Sequence, residues 1–272
     1  MGAIELPVGR GAEFVSVEGD EGQIGLPEGR TFLRLIQQGE AECQSRTWSG
    51  LPAMGKKAPR CLDGIGTVLA LLDSAASCFW GCHRGDHRGE FLLGRVASSG
   101  YAALRLSTGG YYDEALSIVR TLGENANLIA LFNADPSSFD RWKKLPERDR
   151  RKEFKPVSVR LALEALGAPT PVDKDRYAAL SDFSIHATPD AVPQAHNAAG
   201  RPLTFGAFQE AGLVMVLNEL ALPLAFVAVF ASGIVKVSPK IKRTLLREGR
   251  NLASAIGGVT VLEKGRPWFK LD

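Results

Sequence analysis

From Leu62 onward apolar residues return every three or four positions instead of alternating, a pattern that predicts a chain built mainly from helices. Ile65, Val68, Leu69, Leu72 and Ala76 mark the first strong helix, which ends before Gly81. After a turn rich in glycine and charge, His83 to Glu90, a second helix runs from Phe91 to about Ser107 and closes at Gly109-Gly110, a helix-ending signal. The third, Tyr112 to Asn133, sets Ala115, Leu116, Val119, Leu122, Ala126 and Ala130 on one side. Its polar row, Asp113, Ser117, Arg120, Glu124 and Asn127, advances in steps of four and three and so shares another face. Two long helices joined by so short a link should fold back antiparallel, as in a bundle hairpin.

Later helices carry clear punctuation. Pro156 suits the first turn of a helix over Val157 to Leu166, and Gly167 ends it. Asp173 can cap the next helix, Asp173 to Ala187, which supplies Tyr177, Ser181, Asp182 and His186 before Pro189. Phe205 to Val235 is the longest apolar helix, with a kink expected at Pro223. Ser238-Pro239 opens a last helix through Ala255, studded with Lys240, Lys242, Arg243, Arg247 and Arg250. Within the apolar stretch, Asn218, Glu219 and Pro223 argue against a membrane span. An ionisable residue at bilayer depth costs roughly 2.5–3.5 kcal/mol, so a buried bundle helix is the better reading and no stable membrane insertion is expected.

The two ends differ in texture. Residues 1–60 are rich in glycine and proline and read as an irregular extension, with a hairpin around Phe14 to Val17 and a short helix near Thr31 to Gln38. Residues 61–257 form the helical bundle, and 258–272 a tail with strand-like Val259 to Leu262. The expected fold is therefore mainly α, an antiparallel helical bundle with a small irregular or β extension and a short β tail.

Charge and cysteine content narrow the function classes. Thirty-three Lys and Arg against 30 Asp and Glu leave a net charge of +3, which allows a nucleic-acid partner without demanding one. The dense run Arg141 to Lys155 reads as a solvated linker or exposed helix face in preference to a phosphate-binding patch. No basic stretch followed by an apolar run opens the chain, and four cysteines are sparse, so a cytoplasmic protein with reduced thiols is expected. Cys78, Cys82, His83 and His87 invite a metal reading. On a continuous helix the cysteines and histidines would lie about 100° apart, however, and four ligands could converge only if the chain broke near Gly81 or Gly85. Core thiols beside a polar turn are expected, with no metal and no cofactor. Phosphate-loop, dinucleotide-binding, nucleophile-elbow and His-Glu-x-x-His patterns are all missing.

The candidate chemistry lies on two helices. Ser117 and Asn127 have mediocre helix propensity, and placing them in a row with Arg120 and Glu124 suits a cleft better than a plain solvated face. His186 falls in the last turn of its helix, where the dipole and Asp182 four residues earlier favour the imidazolium. Cleavage of RNA needs a base for the 2′-hydroxyl, an acid for the leaving oxygen and a cation near the phosphorane, roles that His and Arg fill.

The phrase Tyr112-Asp113-Glu114-Ala115-Leu116 leading to Arg120-x-x-x-Glu124, then Tyr177-x-x-Leu180-Ser181 leading to His186, resembles the HEPN-like helical bundle of a group of uncharacterised bacterial proteins. The resemblance covers about Leu62 to Ser232. It implies a bundle of four or more helices, often dimeric, whose catalytic members are metal-independent endoribonucleases with a site where two subunits meet. Those members carry Arg-x4-6-His on one helix. Here Arg176 is too far from His186, so Arg120 would have to meet His186 across helices. The resulting expectation is a cytoplasmic RNA-cleaving or RNA-binding protein of a bacterial defence or toxin–antitoxin type, acting as a homodimer. Arg120, Glu124 and His186 would be catalytic, and Ser117, Asn127, Tyr177, Ser181 and Asp182 would bind. The alternative is a non-catalytic regulatory module whose polar row and basic final helix dock a protein partner.

Overall fold

The computed structural model describes residues 28–82, 87–186 and 206–257. Among the described residues there are ten α-helices, three short 3-10 turns and no strand. The helices are α1 (Gly29–Gly50), α2 (Lys57–Ala76), α3 (Arg88–Thr108), α4 (Tyr112–Ala134) and α5 (Pro136–Lys144). They continue as α6 (Glu147–Glu153), α7 (Pro156–Ala165), α8 (Lys174–Ser184), α9 (Glu210–Phe230) and α10 (Pro239–Ala255). The expected hairpin at Phe14 to Val17 and the strand-like tail fall outside the described residues.

Helix α9 is the axis of the bundle, packed by α2, α3, α4 and α10. A helix apolar on all sides has to be buried on all sides. Leu213, Met215, Val216, Leu220, Ala221 and Leu224 accordingly lose all contact with solvent. By length and mean hydropathy α9 could cross a bilayer, but 72% of that window is buried within the fold. The helix runs through Pro223 without ending there. Next to it, α10 keeps its cations outside and buries only Leu245, Gly249 and Leu252. Gly249 lets the two backbones approach, since a Cβ there would sit 2.8 Å from the Ala225 carbonyl oxygen.

The link between α3 and α4 is held from several sides. The Tyr111 N–H donates back to the Leu106 carbonyl at 2.9 Å, and Gly110 takes φ +88°, open to glycine at little cost. Tyr111 donates to Glu40 of α1 at 2.8 Å, and the Tyr112 hydroxyl accepts the Gln209 N–H at 2.9 Å, just before α9.

Several boundaries moved. Helix α1 is far longer than the short helix expected near Thr31 to Gln38. Its apolar residues are scattered, with only Cys43 and Thr47 buried, and so give a weak periodic signal. Of the two readings of the charged run, linker or exposed helix face, the helical one holds: it supplies the last turn of α5 and all of α6. Helix α8 stops at Ser184, where Ile185 and His186 both return their N–H groups to the Ser181 carbonyl, so His186 lies just beyond the helix.

Candidate functional site

Two polar regions stand out: a seam where α7 and α8 cover α4's polar row, and a groove lined by α3, α5 and α6. In the seam Arg120 is a hub. Its Nε donates to Ser181 Oγ at 2.8 Å, a terminal nitrogen donates to the Tyr177 hydroxyl, and Nη1 lies 3.4 Å from Glu124. The Tyr177 hydroxyl in turn donates to Glu124 at 2.8 Å. Burial, then the hydrogen bond to Glu124, holds the phenol above its ordinary range, so it remains a donor at neutral pH.

The Tyr177 ring also carries two guanidinium groups, Arg120 at 4.3 Å and Arg160 of α7 at 4.7 Å from its centre. Arg160 is buried, and its Nη1 finds no hydrogen-bond partner among the described residues. The aromatic face is thus a main source of compensation for that charge.

The rest of the predicted row is engaged in holding helices together. Ser117 donates to the Ser184 carbonyl at 2.6 Å and thereby fastens the end of α8. Asn127 is buried, and its amide both donates to the Val172 carbonyl at 2.8 Å and accepts the Val172 N–H at 2.9 Å. Asp182 and His186 are exposed, and no contact joins His186 to Arg120 or Glu124 among the described residues. The structure therefore unites Arg120, Glu124, Tyr177 and Ser181, places Ser117 and Asn127 beside them, and leaves the His186 side chain outside that network, only its backbone N–H reaching Ser181.

A deeper pair escaped sequence reasoning. Glu219 of α9 has a fully buried side chain, and Arg176 of α8 reaches it at 2.6 Å. The signal was present: a carboxylate in the middle of an apolar core helix requires a cation from a neighbouring element. Nothing in the spacing said which cation.

The groove has the opposite character. It encloses about 550 Å³ and is lined by Arg88, Phe91, Leu92 and Arg95 of α3, Trp142 and Lys143 of α5, and Arg150 of α6. Four of these are cations and none is a carboxylate. Trp142 is braced from behind by Phe139 and Phe132, with ring centres 6.1 and 5.6 Å away. Arg88 donates to the Lys143 carbonyl at 2.6 Å, joining the start of α3 to the end of α5. Arg150 donates to the Leu145 carbonyl at 2.8 Å and lies 5.5 Å from the centre of the Trp142 ring. Phe91 is 74% exposed although it occupies the first turn of a long helix. Positive charge beside flat aromatic surface suits a ligand that combines phosphate with a planar ring. Lys143 and Arg150 belong to the charged run, so the sequence showed half of this groove. The α3 half was hidden because Arg88, Phe91 and Arg95 look like ordinary exposed helix positions.

Cys78 and Cys82 are exposed, which corrects the expectation of core thiols. The reason is local: α2 ends at Ala76, and the chain leaves the helix through a 3-10 turn that buries nothing. Cys43 and Cys61 are the buried pair, and burial pushes the Cys61 thiol up to about 12.

No family model, curated protein or solved structure matches the chain.

Proposed function

We propose that this chain is a nucleic-acid-binding helical protein of the HEPN-like kind, that its ligand is single-stranded RNA, and that it binds rather than cleaves. The observation that carries this reading is the groove of Arg88, Arg95, Lys143 and Arg150 with Phe91 and Trp142, and with no carboxylate in its lining. Cations supply the sequence-independent attraction to phosphate, and base stacking on an aromatic face adds roughly 1–3 kcal/mol per base. RNA in particular, a homodimer and a cytoplasmic setting in bacterial defence follow from the resemblance in the α4 and α8 motifs. Binding is favoured over cleavage because Arg120 spends its donors on Ser181, Tyr177 and Glu124, while His186 stands outside that network.

Anisotropy of a labelled single-stranded RNA tests the reading directly. Lys143 is already paired with Asp140, so Arg95 and Arg150, neutralising phosphates at ~0.7 ions each, give a slope of log affinity against log salt of about −1.4. Arg95→Glu should flatten that slope and weaken binding by an order of magnitude or more, and Phe91→Ala should weaken it about fivefold. Unchanged affinity in both variants would remove the groove as the contact surface. RNA cleavage that vanishes in His186→Ala would restore the catalytic reading in place of this one.

A further inference from the structure

We infer that Cys78, Cys82 and His87 form a zinc-binding clip between α2 and α3. The donor atoms of these three residues all lie within 4.8 Å of one another. Around a tetrahedral zinc, bonds of about 2.3 Å to sulfur and 2.0–2.1 Å to nitrogen put neighbouring donors about 3.5–3.8 Å apart. Small rotations of exposed side chains span the difference, with no movement of either helix. Two thiolates and an imidazole suit Zn²⁺ better than calcium or magnesium, which prefer oxygen.

The backbone around the cluster is shaped to bring the donors together. Ser77 accepts the Phe79 N–H at 3.2 Å and starts the 3-10 turn, and Gly81 at φ +116° reverses the chain so that Cys82 comes back towards Cys78. His87 has φ 59° and is the one non-glycine with positive φ among the described residues. Residues other than glycine enter that region uncommonly, histidine more readily than most. The His87 ring meets that of Phe91 at 6.4 Å between centres, while Phe79 and Trp80 beside the cysteines are 84% and 60% exposed. A metal ion would supply the cross-link that the core does not reach.

Binding transfers one proton from each thiol to solvent and forms two sulfur–metal bonds and one bond from the neutral imidazole. The described residues fill three of the four tetrahedral positions. The clip would fix the first turn of α3, which carries Arg88 and Phe91 into the groove, but the ion site stands whether or not that groove binds RNA.

The test uses the full chain, reduced and stripped with a chelator, then titrated with Zn²⁺ by calorimetry and with Co²⁺ by absorption. One ion per chain is expected, with the thiolate charge-transfer and visible bands of tetrahedral cobalt and with proton release that varies with buffer. Cys78→Ser, Cys82→Ser and His87→Ala should each weaken binding by an order of magnitude or more, whereas Cys43→Ala, at a buried thiol, should not. Cys78 and Cys82 are exposed and His87 only partly buried, and circular dichroism should show each variant folded. Absence of stoichiometric uptake, or uptake indifferent to the three substitutions, overturns the site. So does a Cys78–Cys82 disulfide as the only chemistry these thiols show. RNA anisotropy on the same samples reports on the groove separately.

Discussion

The seam under α8 and the groove beside α3 both gather arginines, yet they use them in opposite ways. In the seam every guanidinium meets something from the chain itself: Arg176 meets Glu219, Arg120 meets Glu124, Ser181 and Tyr177, and Arg160 lies over an aromatic ring. In the groove Lys143 pairs with Asp140 at 3.1 Å, whereas Arg150 donates to a backbone carbonyl, which positions it without neutralising its charge, and Arg88 is oriented by the Lys143 carbonyl. A paired charge in a protein interior specifies which helices meet. Charge gathered around an open hollow with no carboxylate in its wall remains available to an anion.

The largest test of this contrast is Arg176→Ala, which strands the Glu219 carboxylate inside α9's packing. Unfolding in denaturant should show a loss of about 3 kcal/mol, and replacing both residues with apolar ones should recover most of it. If the single variant were as stable as the parent, the pair would not be holding α8 to the core. Asn127→Ala comes next. It leaves the Val172 N–H and carbonyl without their partner and should cost about 2 kcal/mol by the same measurement.

A smaller effect is expected at Asp135, which caps α5 and so supports the groove from behind. Hydrogen bonds from Ser137 and then Ser138 hold its carboxyl below the usual carboxylate range. A depressed folded-state value means that its contribution is present above the unfolded value, near pH 4, and is lost as pH falls through the folded one. Asp135→Ala should therefore cost about 1 kcal/mol at neutral pH, shrinking in acid. Stability curves for parent and variant that stay equally separated down to low pH would show that the carboxylate charge is not what caps the helix. Smallest of all is Arg95→Glu, whose thermal midpoint should correspond to a change within about 0.5 kcal/mol. That indifference, alongside lost RNA binding, would draw the line between the two regions most sharply.

Residue patterns alone located most of the bundle. Helical periodicity marked α2, α3, α4, α9 and α10, and local capping chemistry marked the starts of α8 and α10 at Asp173 and Ser238. Those signals are legible because they act within a turn or two of chain. Arg120, Glu124, Tyr177 and Ser181 were picked from the same kind of local spacing, and they do come together.

What the amino-acid order determined, then, was which faces must be buried, and hence that α9 would be wrapped and α10 would lie on the surface. Partner choice was a different matter. Glu219 needed a cation, and Arg176, 43 positions earlier, became that cation only when α8 packed on α4 and its side chain reached α9. The groove likewise exists only because α5 packs on α4 and is brought alongside α3, setting Arg88, 55 positions away in sequence, against Lys143. Pairings at that separation depend on how helices cross, and crossing is set by the summed packing of many side chains instead of by any short run of residues.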